Sequence, residues 1–142
     1  MNNEKTVVEN LNLTLTRKWF DLIASGEKIE EYREIKPYWF KRIVFEPKFV
    51  CRMFSTNFKT LSKQTIAEMM SRPLFLQMCP FNPFKTITFK NGYSSGVPEI
   101  VVECLDIKIR TVNLEHGAED GVVYFVFELG EILSTKNLNN GV

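Results

Sequence analysis

The 142-residue sequence contains little cysteine and histidine, and this scarcity excludes several classes of protein. Its three cysteines, Cys51, Cys79 and Cys104, are far apart and form no CxxC pair, which argues against a disulfide framework or a zinc site. The single histidine, His116, falls in the polar stretch NLEHGAEDG and is expected in a solvated loop, which disfavours a Ser-His-Asp mechanism. GxSxG, GxxxxGK[ST] and GxGxxG motifs are also absent. Any chemistry must therefore come from Lys, Glu, Asp, Thr or Ser, and we expect no metal and no cofactor.

Long apolar runs are missing as well. No stretch approaches the roughly 20 apolar residues of a membrane span, and the start, MNNEKTVVEN, lacks the continuous apolar region of a signal peptide. We therefore expect a cytoplasmic protein that does not enter membranes. With 44% hydrophobic residues, including 12 Phe, the chain can build the core of one compact domain.

The net charge of +1 conceals a strong polarity along the chain. Residues 1–90 carry 15 Lys and Arg against 9 Asp and Glu, whereas residues 91–142 carry 3 against 8. This pattern fits either a basic face for an anionic partner or two halves of one domain that attract each other.

Local patterns predict a mixture of strands and short helices. NLNLTLT has the period-two alternation of a strand, and the helix that follows has Thr16 as its N-cap and Gly26 at a left-handed C-terminal cap. IEEYREI predicts a second strand with Ile29, Glu31, Arg33 and Ile35 on one side, and Pro37 begins another short helix.

The remainder of the chain is divided between an irregular segment and a β-rich end. Residues 46–83 are expected to form an irregular insertion with one helix at about Ser62–Ser71. KTITFK, EIVVECLDIKI and GVVYFVFEL predict three further strands. The expected fold class is α+β, a small mixed or closed β-barrel with two or three short helices.

Charged side chains occur on the apolar sides of two predicted strands. Glu31 and Arg33 share one face of IEEYREI, where they form either a structural ion pair or the lining of a wet cleft. In VVECLDIKI, Glu103 has the parity of inward-facing apolar residues, so either it meets a cation inside or a β-bulge resets the register and leaves it solvated.

The spacing Gly26-x-Lys28-x-x-Glu31-x-Arg33 resembles the GxKxxExR signature of the ASCH domain, a relative of the PUA RNA-binding barrels. The similarity extends over about residues 12–45 and 84–133, so residues 1–142 are interpreted as one ASCH domain of the small bacterial or phage type, with the insertion at 46–83. The resemblance implies a PUA-like β-barrel whose motif lines a cleft and binds RNA or a nucleotide.

In that interpretation Lys28 and Arg33 contact phosphate or a base edge, and Glu31 orients Arg33 or accepts a hydrogen bond from a base. A basic rim is expected from Arg17, Lys18, Lys36, Lys41 and Arg42. Stacking faces could come from Trp19, Tyr32, Tyr38 or Trp39, although helical spacing also fits Trp19 to the core.

Two alternatives remain open. The same superfamily includes amidohydrolases that act on acylated nucleosides such as acetylcytidine with a Lys, a Thr and a distant Glu. Lys28 and Glu103 are the corresponding candidate catalytic residues, but Glu31 replaces the Thr, and a carboxylate is a poor acyl acceptor. The second alternative is a protein-interaction module. Here the Phe- and Met-rich segment 46–83 forms a lid or a homodimer patch, or else a second small core.

Overall fold

The computed structural model describes residues 8–78, 81–112, 118–119 and 121–138, so Cys79 and His116 lie outside the described residues. In this part of the chain the strands are β1 (Asn10–Thr14), β2 (Glu30–Glu34), β3 (Thr86–Lys90), β4 (Glu99–Arg110) and β5 (Tyr124–Lys136). The α-helices are α1 (Arg17–Ala24), α2 (Pro37–Ile43), α3 (Pro47–Met53), α4 (Lys63–Met70) and α5 (Pro73–Gln77), with a 3-10 helix at Phe58–Thr60. The α+β class is confirmed, but the described helices outnumber the two or three expected.

The five strands form one mixed sheet in the order β1-β3-β4-β5-β2. β1 pairs parallel with β3, and the other neighbours are antiparallel. The sheet curls into a half-barrel in which β1 and β2 are the two margins and are not paired with each other. Of the two expected forms, a mixed or a closed barrel, the mixed sheet is confirmed and the closed barrel is not, because the described strands leave an opening between β1 and β2.

The inner face of the curled sheet carries most of the core. Paired residues of neighbouring strands lie on the same face of a sheet, and Leu13, Phe89 and Ile100 are connected in this way across β1, β3 and β4. All three are buried. By the same register Glu31 lies opposite Phe127 and Arg33 opposite Phe125, so both charged side chains belong to the inner face.

The turn between α1 and β2 follows the sequence prediction closely. Thr16 is the extended N-cap residue of α1, although its side chain makes no capping hydrogen bond. Gly26 adopts a φ of +83°, which favours glycine because it has no Cβ, and its N–H donates to the carbonyl of Ile23 at 3.1 Å. The N–H of Lys28 then donates to the carbonyl of Leu22 at 3.0 Å. These two bonds turn the chain back so that Lys28 directly precedes β2.

Most of the described residues between 46 and 83 are helical, so the expectation of an irregular insertion is wrong for this part of the chain. Helices α3, α4 and α5 lie in this segment, and α4 confirms the helix predicted at about Ser62–Ser71. Its buried side chains, which include Val50, Ile66 and Phe75, belong to the same hydrophobic cluster as the inner face of the sheet. The segment therefore adds to the main core instead of forming a second one.

One predicted side-chain orientation is wrong, and the structure decides between the two alternatives for Glu103. Ile29, the residue before β2, is 63% exposed, so its side chain does not lie on the buried face with Glu31. In β4 the buried residues are Ile100, Val102 and Cys104, and register shifts on both sides of Cys104 show that β-bulges interrupt the pairing with β5. Glu103 therefore lies on the opposite face of the sheet from Cys104, as the bulge alternative predicts.

Cys51 and Cys104 are buried free thiols. Burial, together with nearby Asp106, raises the pKa of the Cys104 thiol to about 11, so it is a weak nucleophile near neutral pH. Across the described ranges, no helix is long and apolar enough to cross a membrane. In the same part of the chain, no three His, Cys, Asp or Glu side chains are grouped in a way that could hold a metal ion.

Candidate functional site: a mixed-charge cleft at the opening of the sheet

A cleft of about 690 Å³ lies at the opening between the two margins of the sheet. One side is formed by Thr14, Leu15 and Thr16 at the end of β1, and the other by residues of β2 and the start of α2. The charged or aromatic side chains that line it are Trp19, Lys28, Glu31, Tyr32, Arg33, Glu34, Lys36, Trp39, Lys63, Glu119 and Tyr124. The cleft exists because β1 and β2 do not pair, and charged groups fill the place where a closed barrel would have hydrogen-bonded strands.

Lys28 and Glu31 form a buried ion pair at the base of this cleft. Their exposed fractions are 3% and 4%, and Lys28 Nζ lies 2.9 Å from Glu31 Oε1. The same Oε1 atom accepts a hydrogen bond from the backbone N–H of Tyr32 at 2.9 Å. Burial of two charges is costly unless they are paired, so the pair fixes Lys28 in place instead of leaving a mobile surface lysine.

Arg33 joins this pair and also connects the two margins of the sheet. Its Nη2 atom lies 3.2 Å from Glu31 Oε2 and donates at 3.5 Å to the carbonyl of Thr14, the last residue of β1. The guanidinium lies over the ring of Trp39, 4.9 Å from the centroid. Its Nε atom is buried and has no hydrogen-bond partner among the described residues. One carboxylate therefore serves two cations, which gives the Lys28–Glu31–Arg33 cluster a net charge of +1.

The aromatic rings of the cleft hold these cations. The Lys28 ammonium lies 4.8 Å from the centroid of Trp19 and 5.0 Å from that of Tyr32, between the two rings. Cation–π contacts of this kind contribute about 0.5–2 kcal/mol, with the larger values in desolvated sites. Trp19 also packs against the core. These cations already cover one face of each ring, Trp19, Tyr32 and Trp39. A base could therefore stack only on the ring surface that remains.

Tyr32 connects the cleft to a group of charges on the outer side of β2. Its hydroxyl donates to Glu30 Oε1 at 3.2 Å, and Glu30 is paired with Arg110. Burial raises the pKa of Tyr32 to about 12, and the negative charge of Glu30 and the hydrogen bond to it act in the same direction. The phenol therefore stays protonated through the physiological range and acts as a hydrogen-bond donor.

The structure brings together four of the predicted site residues. Lys28, Glu31, Arg33 and Lys36 line the cleft, and Gly26 forms the turn that precedes them. Arg17 does not line the cleft, because it pairs with Asp21 one helical turn later, at 3.1 Å, on the exposed side of α1.

Glu103 is also absent from the cleft. Its carboxylate lies against Gly130, and its Oε1 accepts a hydrogen bond from the N–H of Glu131 at 3.4 Å. The structure therefore does not bring the two candidate catalytic residues, Lys28 and Glu103, into one site.

Several cleft residues are not evident from the sequence. Lys63 and Glu119 come from distant parts of the chain, and only the tertiary fold brings them to the cleft. Thr14 and Thr16 are predicted as a strand residue and a helix cap, which they are. Their contribution to the cleft has one local signal in the sequence. A junction between a strand and a helix places polar groups at the end of an edge strand.

The fold and site together define an α+β protein with a half-barrel sheet and a buried Lys-Glu-Arg cluster in an open cleft. Comparisons with protein-family models, curated proteins and solved structures found no match to this chain.

Proposed function

We propose that the chain is an ASCH domain of PUA-like fold that binds RNA or a nucleotide in the mixed-charge cleft. The observation that carries this proposal is the buried cluster of Lys28, Glu31 and Arg33 in an open cleft with aromatic walls. A surplus positive charge in a partly desolvated site favours an anionic ligand, and nearby rings favour a planar one. A nucleotide combines both properties, and a volume of about 690 Å³ is in the usual range for small-ligand sites.

Lys28 is the first contact that we assign to the ligand. An ammonium has three N–H donors, and within the described residues one of them is used, by Glu31. Its other partners among the described residues are the rings of Trp19 and Tyr32, so an N–H of this 3% exposed group is available to a stronger acceptor from the cleft side. A phosphate oxygen or a base carbonyl supplies one.

Arg33 is the second contact, and Lys36 the third. The guanidinium is held by Glu31 and the Thr14 carbonyl through Nη2, which leaves the hydrogen atoms on Nη1 for a ligand. Lys36 lies at the start of α2 on the border of the cleft and adds positive charge without a charged partner in the described part of the chain. Contacts of this type hold phosphate and orient the base.

The amidohydrolase alternative has less support from the same geometry. It depends on Lys28 together with a distant carboxylate, and Glu103 lies on the opposite face of the sheet from Glu31. Glu31, at the position of the expected nucleophilic Thr, is already occupied by two cations and a backbone N–H. We therefore propose binding and not hydrolysis.

The proposal is tested by measuring the affinity of the folded protein for the four ribonucleoside monophosphates and for a short single-stranded RNA. Lys28→Met keeps the length of the side chain and removes its charge, so we expect it to weaken binding roughly tenfold or more, the effect of losing a charged hydrogen bond. Arg33→Met should act in the same direction. Lys85→Met is the matched control, because Lys85 is exposed and lies outside the cleft.

Thermal unfolding of each variant separates a loss of affinity from a loss of folded protein. Binding should also weaken as salt is added, since phosphate contacts release counterions. The proposal fails if the folded wild type binds none of these ligands at low salt, or if folded Lys28→Met and Arg33→Met bind as tightly as Lys85→Met.

A further inference from the structure

The helical segment next to the cleft has an unusual concentration of positive charge. Residues 36–78 contain eight Lys and Arg but only two Glu, Glu46 and Glu68, although the whole chain has a net charge of +1. All of residues 36–78 are described by the structure. The excess charge of the basic half of the chain is therefore located mainly on α2, α3, the 3-10 helix and α4.

Most of these cations have no counter-ion in the part of the chain that the structure describes. Among those residues, Lys63 is the one member of the eight that forms an ion pair, with Glu34 at 3.5 Å. The others are exposed or partly exposed and form no ion pair within 4.0 Å in the described ranges. Elsewhere on the surface, lysines such as Lys85, Lys90 and Lys108 each have a carboxylate partner.

Two of these cations lie over one aromatic ring, and two more lie nearby in the groove or in the chain. The ammonium of Lys41, on α2, lies 4.6 Å from the centroid of Phe58, and that of Lys48, on α3, lies 5.6 Å from it. Arg52 and Phe58 line a groove of about 390 Å³ with Lys48, and Lys59 follows Phe58 in the chain. We call Lys41, Lys48, Arg52 and Lys59 the basic helical face.

Like charges gathered in this way repel one another, and the repulsion is relieved by a bound polyanion. Two of these cations, Lys48 and Arg52, line the groove together with Glu46. The groove in addition presents Phe49, which is 49% exposed and directly follows Lys48. A cationic groove with an accessible ring suits a chain that carries both phosphates and bases.

The basic helical face is connected to the cleft through two lysines. Lys36 lines the cleft and is the N-cap residue of α2, the helix that carries Lys41. Lys63 also lines the cleft and begins α4, just after the 3-10 helix that carries Lys59. Helices α2 and α4 contact each other. Cations therefore continue from the cleft onto the helices.

We propose that the basic helical face binds the sugar–phosphate backbone of a single-stranded nucleic acid that extends out of the cleft. This inference rests on the proposed function, because it assumes that one nucleotide of the strand occupies the cleft. It assigns to residues 46–83 a role as an extension of the binding surface. It also specifies the ligand as an oligonucleotide. A free nucleotide would bind in the cleft but would not contact the basic helical face.

The test compares a 12-nucleotide single-stranded RNA with a ribonucleoside monophosphate. In the wild type the oligonucleotide should bind more tightly and with a steeper salt dependence. The triple variant Lys41→Ala, Lys48→Ala, Arg52→Ala should lose most of this advantage, and the slope of log K against log[salt] should become shallower by about 0.7 for each phosphate that the variant no longer neutralises. Its affinity for the monophosphate should remain that of the wild type. A second triple variant, Lys85→Ala, Lys90→Ala, Lys108→Ala, makes the same change in net charge and should behave as the wild type.

The outcomes distinguish this inference from the proposed function. If Lys28→Met weakens both ligands while the basic-face variant binds the 12-mer normally, the cleft function stands and the basic-face inference is overturned. If the 12-mer binds through the basic face while Lys28→Met and Arg33→Met leave its affinity unchanged, the cleft function fails, and the inference that the strand extends out of the cleft is overturned with it. Binding that depends on the basic face but occurs only to phosphatidylserine vesicles or to an acidic peptide, and not to the 12-mer, also overturns the inference.

Discussion

Glu31 in β2 and Glu103 in β4 are both carboxylates on strands of one sheet, but they lie on opposite faces and in very different surroundings. Glu31 is 4% exposed and interacts with Lys28, Arg33 and a backbone N–H. Glu103 is half-buried on the outer face and accepts one long hydrogen bond, from the N–H of Glu131. The chain near Glu31 supplies two cations within three residues, whereas residues 99–107 contain none. The carboxylate on the inner face has counter-ions from the local chain, and the carboxylate without them lies on the outer face.

The largest effect that this comparison predicts is on the stability of Glu31→Ala. The substitution leaves Lys28, 3% exposed, without its carboxylate partner. Breaking a buried ion pair from one side typically costs about 3–5 kcal/mol, so the free energy of unfolding in urea should fall by roughly that amount. Glu34→Ala on the same strand is the matched control, since Glu34 is exposed and its pair with Lys63 is worth about 0–1 kcal/mol.

A double variant sharpens this prediction. Lys28→Met combined with Glu31→Leu removes both buried charges and should recover part of the stability lost in Glu31→Ala. If Glu31→Ala costs no more than Glu34→Ala, the buried cluster does not stabilise the fold as the geometry implies.

An intermediate effect is expected at alkaline pH from Tyr32, the neighbour of Glu31. Its pKa in the folded protein is about 12, above the ordinary value of 10, because burial and Glu30 disfavour the phenolate. A group whose folded pKa is raised contributes stability that is fully present below the unfolded pKa and is lost as the pH rises through the folded pKa. The stability of the wild type should therefore decline more steeply between pH 10 and 12 than that of Tyr32→Phe.

Ultraviolet titration of tyrosinate, taken as the difference between wild type and Tyr32→Phe, locates this pKa directly. Glu30→Gln should lower it markedly, and Glu31→Gln should lower it less, because Glu31 is the smallest of the contributions. Glu103→Gln should leave it unchanged. A Tyr32 phenol that titrates near 10 in the folded protein would contradict the description of its surroundings.

The smallest effect is expected for Glu103→Ala. Substitutions of partly exposed side chains without a buried partner usually change stability by no more than about 0.5 kcal/mol. Binding of nucleotide or RNA should also be unchanged, because Glu103 does not line the cleft. Equal losses of stability for Glu103→Ala and Glu31→Ala in the same urea titration would remove the contrast between the two faces. Loss of RNA binding in a folded Glu103→Ala protein would restore Glu103 as a site residue.

The candidate site is largely predictable because its determinants are local in sequence. Gly26 ends α1 with a left-handed residue, and the period-two geometry of a strand puts Glu31 and Arg33 on one face. Both rules act over a few residues. The partners from elsewhere are not predictable in this way, since Lys63 and Glu119 reach the cleft only through the packing of distant segments. The bulges in β4 are set by its pairing with β5, so the sequence of β4 alone leaves the orientation of Glu103 open.

Of the helices between residues 46 and 78, α4 is predicted from the sequence, whereas α3 and α5 are missed for a different reason. Proline is common in irregular segments, but Pro47 and Pro73 both occupy the first turn of a helix, where proline favours helix formation. The same rule predicts the start of α2 correctly at Pro37. Each of these helices has eight residues or fewer, too short to show a clear apolar period, and they are stabilised by packing against the sheet.

The hydrogen bond from Arg33 to the Thr14 carbonyl has a consequence for self-association. An open sheet has two margins whose unpaired backbone groups can recruit a strand from another molecule, and proteins limit this with short edge strands and charged side chains. Here both edge strands are five residues long, and Arg33 of β2 takes up the last carbonyl of β1. The cluster that forms the cleft thus also occupies a backbone acceptor that a strand from another molecule would need to pair with the end of β1.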